Sequence, residues 1–249
     1  MSVPIRNKQE LELMRKSGRI TAQALKKTLA SVRAGISLKE LDKIAEEEIK
    51  RLDGKSSFKT VPGYFWTTCL TVNDEVVHGI PREIRLKEGD VLGVDLGALY
   101  HGWHTDTAWS VVVGGKQTPF LAVGEEALWV ATSQAVEGNR LGDISAAIQK
   151  KVEEAGFAVV KNYTGHGVGR SPHEEPTISG VGKAGTGLIL KEGMIFAIEV
   201  IYTSGQDDVY EKEDGWTVAT VDGSLGGLFE MTVIVGKEKP EVITDFRKV

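Results

Sequence analysis

Apolar residues recur at helical spacing in several places along this chain. Leu11, Met14, Gly18, Ala22, Leu25 and Leu29 form one stripe behind Asn7 and Glu10, a capping-box pair, so a helix is predicted from there to about Val32. Ser37 and Glu40 repeat the box ahead of Leu38, Leu41, Ile44, Ala45, Ile49 and Leu52, giving a second amphipathic helix that ends near Gly54. Two further helices are expected over Gly124 to Glu137 and Gly142 to Ala155, the latter stopped by Gly156. Elsewhere the period shortens to runs of strand composition: Thr68 to Val72, Val91 to Leu99, Thr107 to Val113, Phe157 to Val160, Met194 to Ile201, Trp216 to Thr220, Phe229 to Val235, and one near Val242. Ser56 to Trp66 reads as a loop rich in aromatic residues. No Pro/Ser/Gly-rich linker divides the chain, so one α+β domain over residues 1–249 is expected.

Part of the pattern occurs twice. Leu86-Lys-Glu-Gly-x-x-x-x-Val-Asp95-Leu is echoed by Leu190-Lys-Glu-Gly-x-x-x-x-Ile-Glu199-Val at an offset of 104. Gly35, Leu38, Leu41, Ala45 and Ile49 match Gly138, Leu141, Ile144, Ile148 and Val152 at an offset of 103. Two matches at nearly one offset imply two similar halves, about 1–115 and 116–249, whose pseudo-twofold brings the Asp95 and Glu199 strands together.

Acidic residues interrupt these apolar strands. In the hairpin from Leu86 to Ser110, a turn centred between Tyr100 and His101 would set Asp95 directly opposite Asp106, and no Lys or Arg lies between Asp90 and Val113. Glu199 and Glu230 sit in similar settings. An ionised carboxylate there costs several kcal/mol unless it is compensated. Either Arg and Lys arrive from elsewhere in the fold, or divalent metal ions balance the charge. With His166, flanked by glycines that let the backbone approach closely, four carboxylates suit Mn, Fe, Co or Zn, and the absence of thiolates argues against a structural zinc site. A phosphate-loop reading of Gly165 to Gly169 fails because the Lys-Ser/Thr of that motif is missing.

Composition narrows the function. The net charge of -5 and the lack of a basic stripe argue against a nucleic-acid partner. The single cysteine, Cys69, suits a reducing compartment. No apolar run is long enough for a membrane span, and the early charges of the N-terminus give no signal peptide, so a cytoplasmic location is expected.

Taken in order, Asn73-Asp-Glu-Val-Val-His78-Gly-Ile-Pro, Val94-Asp95-Leu, His104-Thr-Asp106-Thr-Ala, Thr164-Gly-His166-Gly-Val-Gly, His173-Glu-Glu-Pro, Ile198-Glu199, Asp214-Gly-Trp216-Thr and Phe229-Glu230 strongly resemble type I methionine aminopeptidase, over almost the entire chain. The resemblance implies the pita-bread fold, in which two pseudo-symmetric halves share a central curved antiparallel sheet covered by helices. It implies two divalent metal ions on Asp95, Asp106, His166, Glu199 and Glu230, with Asp106 and Glu230 bridging. It makes Glu199 the general base and later proton donor, and His78 and His173 non-ligand catalytic residues. Phe58, Tyr64, Cys69, Pro172 and Trp216 would form the methionine pocket. His101 and His104 are given no role and are expected on the surface. The implied reaction removes methionine from peptide or nascent-chain N-termini with a small second residue, by a monomer in transient contact with the ribosome. Ser2 is such a residue, so the chain would process its own N-terminus. Rival readings are an Xaa-Pro aminopeptidase or prolidase-like enzyme, which usually carries a domain ahead of this set, and a binding protein without metals. Two departures flank ligands: Val200 stands where the family commonly has Pro, and Met231 where it usually has His.

Overall fold

The computed structural model describes residues 3–249, so Ser2 lies outside them. Helix α1 (Lys8–Ala30) starts where the capping box predicts: Asn7 accepts from the backbone N–H groups of Gln9 and Glu10, and the Glu10 side chain returns to the Asn7 N–H. Helix α2 (Leu38–Arg51) repeats this with Ser37 and Glu40. Helix α3 (Pro119–Ser133) begins ahead of the predicted Gly124, because Thr118 caps the Leu121 N–H and Pro119 occupies the first turn. Helix α4 (Leu141–Glu154) buries Ile144, Ile148 and Val152, three of the repeated apolar positions.

The strands are β1 (Lys55–Ser56), β2 (Thr68–Val72), β3 (Glu75–Val77), β4 (Val91–Tyr100), β5 (Trp103–Val112), β6 (Ala158–Val159), β7 (Gly165–Gly167), β8 (Glu174–Ile178), β9 (Ile195–Thr203), β10 (Val209–Glu211), β11 (Val218–Thr220), β12 (Gly226–Ile234) and β13 (Glu241–Val242). Ten of them make one antiparallel sheet along the path β1-β4-β5-β12-β9-β7-β8, with β2 on β4, β6 on β9 and β13 on β12. Strands β10, β11 and β3 make a small second sheet. Helices α1 and α2 cover the β4–β5 side, and α3 and α4 the β9–β12 side, over a core that includes Leu92, Val94, Phe196, Ile198, Phe229 and Met231.

The repeated sequence has repeated backbone conformation. Gly89 and Gly193 have φ of 86° and 85°, and Gly35 and Gly138 have 85° and 90°. The N–H of Gly89 donates to Val113 O and that of Gly193 to Val235 O, both at 3.0 Å. The N–H of Gly35 donates to Leu86 O, and that of Gly138 to Leu190 O. Each half therefore pins its strand to its second helix in the same way.

The central hairpin turns one residue later than expected. His101 and Gly102 both have positive φ, 48° and 79°, the geometry of a two-residue type I′ turn, and Tyr100 pairs with Trp103. Asp95 thus faces Ala108, and Asp106 faces Gly97. The two carboxylates are diagonal rather than opposed.

Candidate metal centre and substrate cavity

That register places the acids in two adjacent transverse rows. One row crosses five strands: Cys69 pairs with Asp95, Asp95 with Ala108, Ala108 with Glu230, and Glu230 with Glu199. Ala108, the smallest member of the row, leaves room between the acids on either side. In the next row Gly97 faces Asp106, the Asp106 N–H donates to Thr232 Oγ1 at 2.9 Å, Thr232 pairs with Ala197, and Ala197 with His166. Because side chains alternate along a strand, the two rows share one face. All five candidate ligands line a single cavity of about 290 Å³.

His166 can reach that row only because its neighbours are glycine. A Cβ on Gly165 would lie 2.6 Å from Ala197 O, and one on Gly167 would lie 2.3 Å from Glu175 O. The His166 Nδ1–H donates to Gly167 O at 2.9 Å, which leaves Nε2 with its lone pair, 3.7 Å from Glu230 Oε1.

The electrostatics fit a divalent cation. Among the described residues, no Lys or Arg lines the cavity. Burial, reinforced by the mutual repulsion of the acids, pushes Asp95 and Glu230 well above the usual carboxylate range. It pushes Glu199 up to about 8, aided by the Asp106 charge, and Asp106 to about 7. Burial and the neighbouring His173 hold His166 down to about 3, so its imidazole is neutral. Asp95 Oδ1 and Glu230 Oε1 are buried with no hydrogen-bond partner. Orphaned acceptors of this kind are rare in a native interior, and a cation satisfies them directly. Ligand atoms of Asp106, His166 and Glu230 already lie within 4.8 Å of one another.

The remaining predicted residues divide by position. His78 and His173 stand at the cavity wall. The His173 ring meets His166 edge-on at 4.4 Å, and the His78 ring meets Tyr163 edge-on at 5.4 Å. Burial, with His173 as the lesser cause, lowers His78 to about 4, and burial also lowers His173, so both are neutral N–H donors at pH 7. Phe58, Tyr64, Cys69 and Trp216 make an apolar wall, with Tyr64 edge-on to Trp216 at 5.0 Å. The Tyr64 hydroxyl donates to Thr68 O at 2.7 Å rather than into the cavity. Burial, then the Asp95 charge, push the Cys69 thiol up, so without a metal it stays protonated. Asp42 of α2 fixes this wall by accepting from the N–H groups of Thr67 and Thr68 and from Thr68 Oγ1, each at 2.8 Å.

Pro172 is not among the residues lining the cavity. His104 is not on the surface. It is 5% exposed, and its Nδ1 meets Ser57 Oγ at 2.8 Å, because it lies two residues before Asp106 on the same face of β5, where Ser57 covers it; His101 is exposed as expected. Val200 and Met231, the two departures beside candidate ligands, are fully buried in the core on the opposite face of the sheet. Val61, Val77, Asn162, Tyr163 and Thr164 also line the cavity. The signal for the last three was their place directly before Gly165-His166.

Comparison with known proteins agrees with this geometry. The profile of Metallopeptidase family M24 matches residues 12–237. Methionine aminopeptidase 1 of Bacillus subtilis is 41% identical over 239 residues, 95% of this chain and 96% of that protein. Methionine aminopeptidase of Clostridium perfringens is 39% identical over 243 residues, 96% and 98% of the two chains. The crystal structure of methionine aminopeptidase from Thermotoga maritima superposes with a TM-score of 0.95 at 40% identity, covering 98% of this chain and 99% of that one. Prolidase from Pyrococcus furiosus, at 23% identity and a TM-score of 0.78, shares the fold, and this chain covers 65% of it.

Proposed function

The chain belongs to metallopeptidase family M24, and from that premise we propose that it is a metal-dependent aminopeptidase of the pita-bread fold that removes N-terminal methionine from short or nascent peptides with a small second residue. The observation that carries this reading is the pair of transverse rows: four carboxylates without Lys or Arg partners and one neutral imidazole, on one face of the sheet, beside an aromatic wall. Asp95, Asp106, His166, Glu199 and Glu230 would hold two divalent ions. Such ions act as Lewis acids and lower the pKa of a bound water towards about 7.

The chain's own residues supply the rest. The acidic cavity attracts the cationic amine of a peptide N-terminus. Phe58, Tyr64, Cys69 and Trp216 accept the methionine side chain, whose flexible thioether packs well on aromatic edges. Glu199 would take a proton and later return it to the leaving amine. His78 and His173, neutral donors, stabilise the oxyanion and orient the scissile amide, each worth roughly 3 to 4 kcal/mol in systems of this kind.

No helix among the described residues is long and apolar enough to cross a membrane. On this reading the protein works in the cytoplasm as a monomer with transient ribosome contact, which sedimentation with and without ribosomes tests. The activity test is direct. The protein supplied with Mn or Co is expected to release Met from Met-Ala-Ser, and a chelator to stop it. Preferential cleavage of an Xaa-Pro peptide would establish the prolidase-like rival instead.

A further inference from the structure

His78 follows β3 with a φ of 57°, in the left-handed region that a side chain rarely adopts. Something must hold it there. The hydrogen bonds that do so attach on either side of it and converge on one buried carboxylate, Glu75, which is 3% exposed. Glu75 Oε2 accepts from the Val72 N–H at 3.0 Å, and Oε1 accepts from Arg82 Nη2 at 2.6 Å. The stretch from Val72 to Arg82 is thereby closed into a loop with His78 inside it. Gly79 adds a wedge: its carbonyl accepts from the Leu70 N–H at 2.6 Å, and a Cβ there would lie 2.2 Å from Leu70 O, so the backbone after His78 cannot back away.

The same Oε1 accepts from Lys212 Nζ at 2.7 Å. Lys212 lies at the base of the turn that carries Trp216: its N–H donates to Thr217 O at 2.7 Å, and its carbonyl accepts from the Gly215 N–H at 3.0 Å. The Ile80 N–H in turn donates to Thr217 Oγ1 at 3.3 Å. One carboxylate therefore joins the segment holding a proposed oxyanion donor to the segment holding the aromatic wall.

We propose that Glu75, through Arg82 and Lys212, is a positioning residue that fixes His78 and Trp216 relative to each other across the cavity. This rests on the reading of His78 as a group that touches substrate. A misplacement of about 1 Å in such a group can cost on the order of 10²-fold in rate. The two cations divide the work: Arg82 closes the His78 loop, and Lys212 ties in the wall.

The test is a mutant cycle on the metal-loaded enzyme with Met-Ala-Ser. Glu75→Gln is expected to lower kcat by about 10-fold or more in the wild-type background, but by less than about 2-fold in His78→Ala, since residues acting through one another are not additive. Arg82→Met is expected to lower kcat with little change in KM, and Lys212→Met to raise KM several-fold at near-normal kcat. In the metal-free protein, ring NMR signals of His78 are expected to change from one sharp set to several or broadened sets on Glu75→Gln. Equal losses from Glu75→Gln in both backgrounds, or a folded Glu75→Gln with normal kcat, would overturn the proposal. If Glu75→Gln does not fold, the Arg82 and Lys212 variants decide, and identical effects on kcat and KM in both would overturn it. A fully active His78→Ala removes the role of His78 itself, and the proposal with it, while cleavage of Met-Ala-Ser by the wild type leaves the aminopeptidase reading standing.

Discussion

Glu75 and Glu230 are equally buried, at 3% and 2% exposure, yet Glu75 Oε1 meets Arg82 and Lys212 at 2.6 and 2.7 Å whereas Glu230 Oε1 meets no donor. Glu75 sits at a crossing of loops and short strands, where long cationic side chains can enter from solvent and keep their stems partly exposed. Glu230 sits at the centre of a ten-stranded sheet, between Ala108 and Glu199, where entry is by way of the cavity. A buried acid that the chain neutralises itself is structural. One that it leaves bare, beside three others on one face of the sheet, is built to take its charge balance from solution.

The largest test of this contrast is at Asp106. Asp106→Asn keeps size and the hydrogen bond from the Thr107 N–H at 2.9 Å but removes one negative charge from the cluster. Activity is expected to fall by about 10³-fold or more, measured as kcat/KM on Met-Ala-Ser at saturating metal. Turnover near that of the wild type would refute the bridging assignment.

Metal removal separates the two sites next. Chelation is expected to abolish activity and to make stability depend on pH in a defined direction. Asp106 at about 7 and Glu199 at about 8 lie above their unfolded values, so these two groups hold more protons in the metal-free folded state than in the unfolded chain. Below about pH 7, His78, His104, His166 and His173, whose pKa values are lowered, oppose this; above about pH 7 the histidines are neutral in both states, and stability of the metal-free protein falls as pH rises. Added divalent metal displaces those protons, so it binds more tightly at pH 8 than at pH 6. Ion at about 100 times its Kd adds about 2.7 kcal/mol. Thermal melts at pH 7 to 9, with and without Mn, check this; a metal-free Tm that rises with pH in that range would contradict it.

At the other site, removing a cation should matter whether or not metal is present. Arg82→Met leaves Glu75 with Lys212 alone and is expected to cost about 1–3 kcal/mol of stability, by the same amount in metal-free and metal-loaded protein. A cost that vanished on loading would show that the two sites are not independent.

Much of this arrangement could be read from the chain, and the failures have physical causes. The capping boxes at Asn7 and Ser37 placed two helix starts correctly because they are local chemistry. Thr118-Pro119 is equally local and was overlooked, so α3 began late in the prediction. The acids were visible as interruptions of apolar strands, but their register was not. It depends on whether His101 accepts a positive φ, and shifting the turn by one residue changed every pairing in the hairpin. Glu75 escaped notice as a site because its partners Arg82 and Lys212 come together only when β3 packs on β11. His104 shares the face of Asp106 in either register; its burial comes from Ser57 and Gly169, which are distant in sequence.

The smallest expected effect concerns the reverse face. Met231 follows Glu230 in sequence, yet it is fully buried among core residues while Glu230 faces the cavity, as alternation along β12 requires. Its identity should therefore register in packing and not in chemistry. Met231→Leu, a nearly volume-conserving change, is expected to shift stability by less than about 1.5 kcal/mol and to leave kcat and KM within about 2-fold, because backbone pairing of Glu230 with Glu199 fixes the ligand angle. The comparison with Glu75 gives the scale: at that site a change one residue removed in space alters the charge balance, whereas here it alters only the fit of a thioether. A 10-fold loss of kcat in Met231→Leu, with normal stability, would mean that the core beneath the sheet steers Glu230 after all.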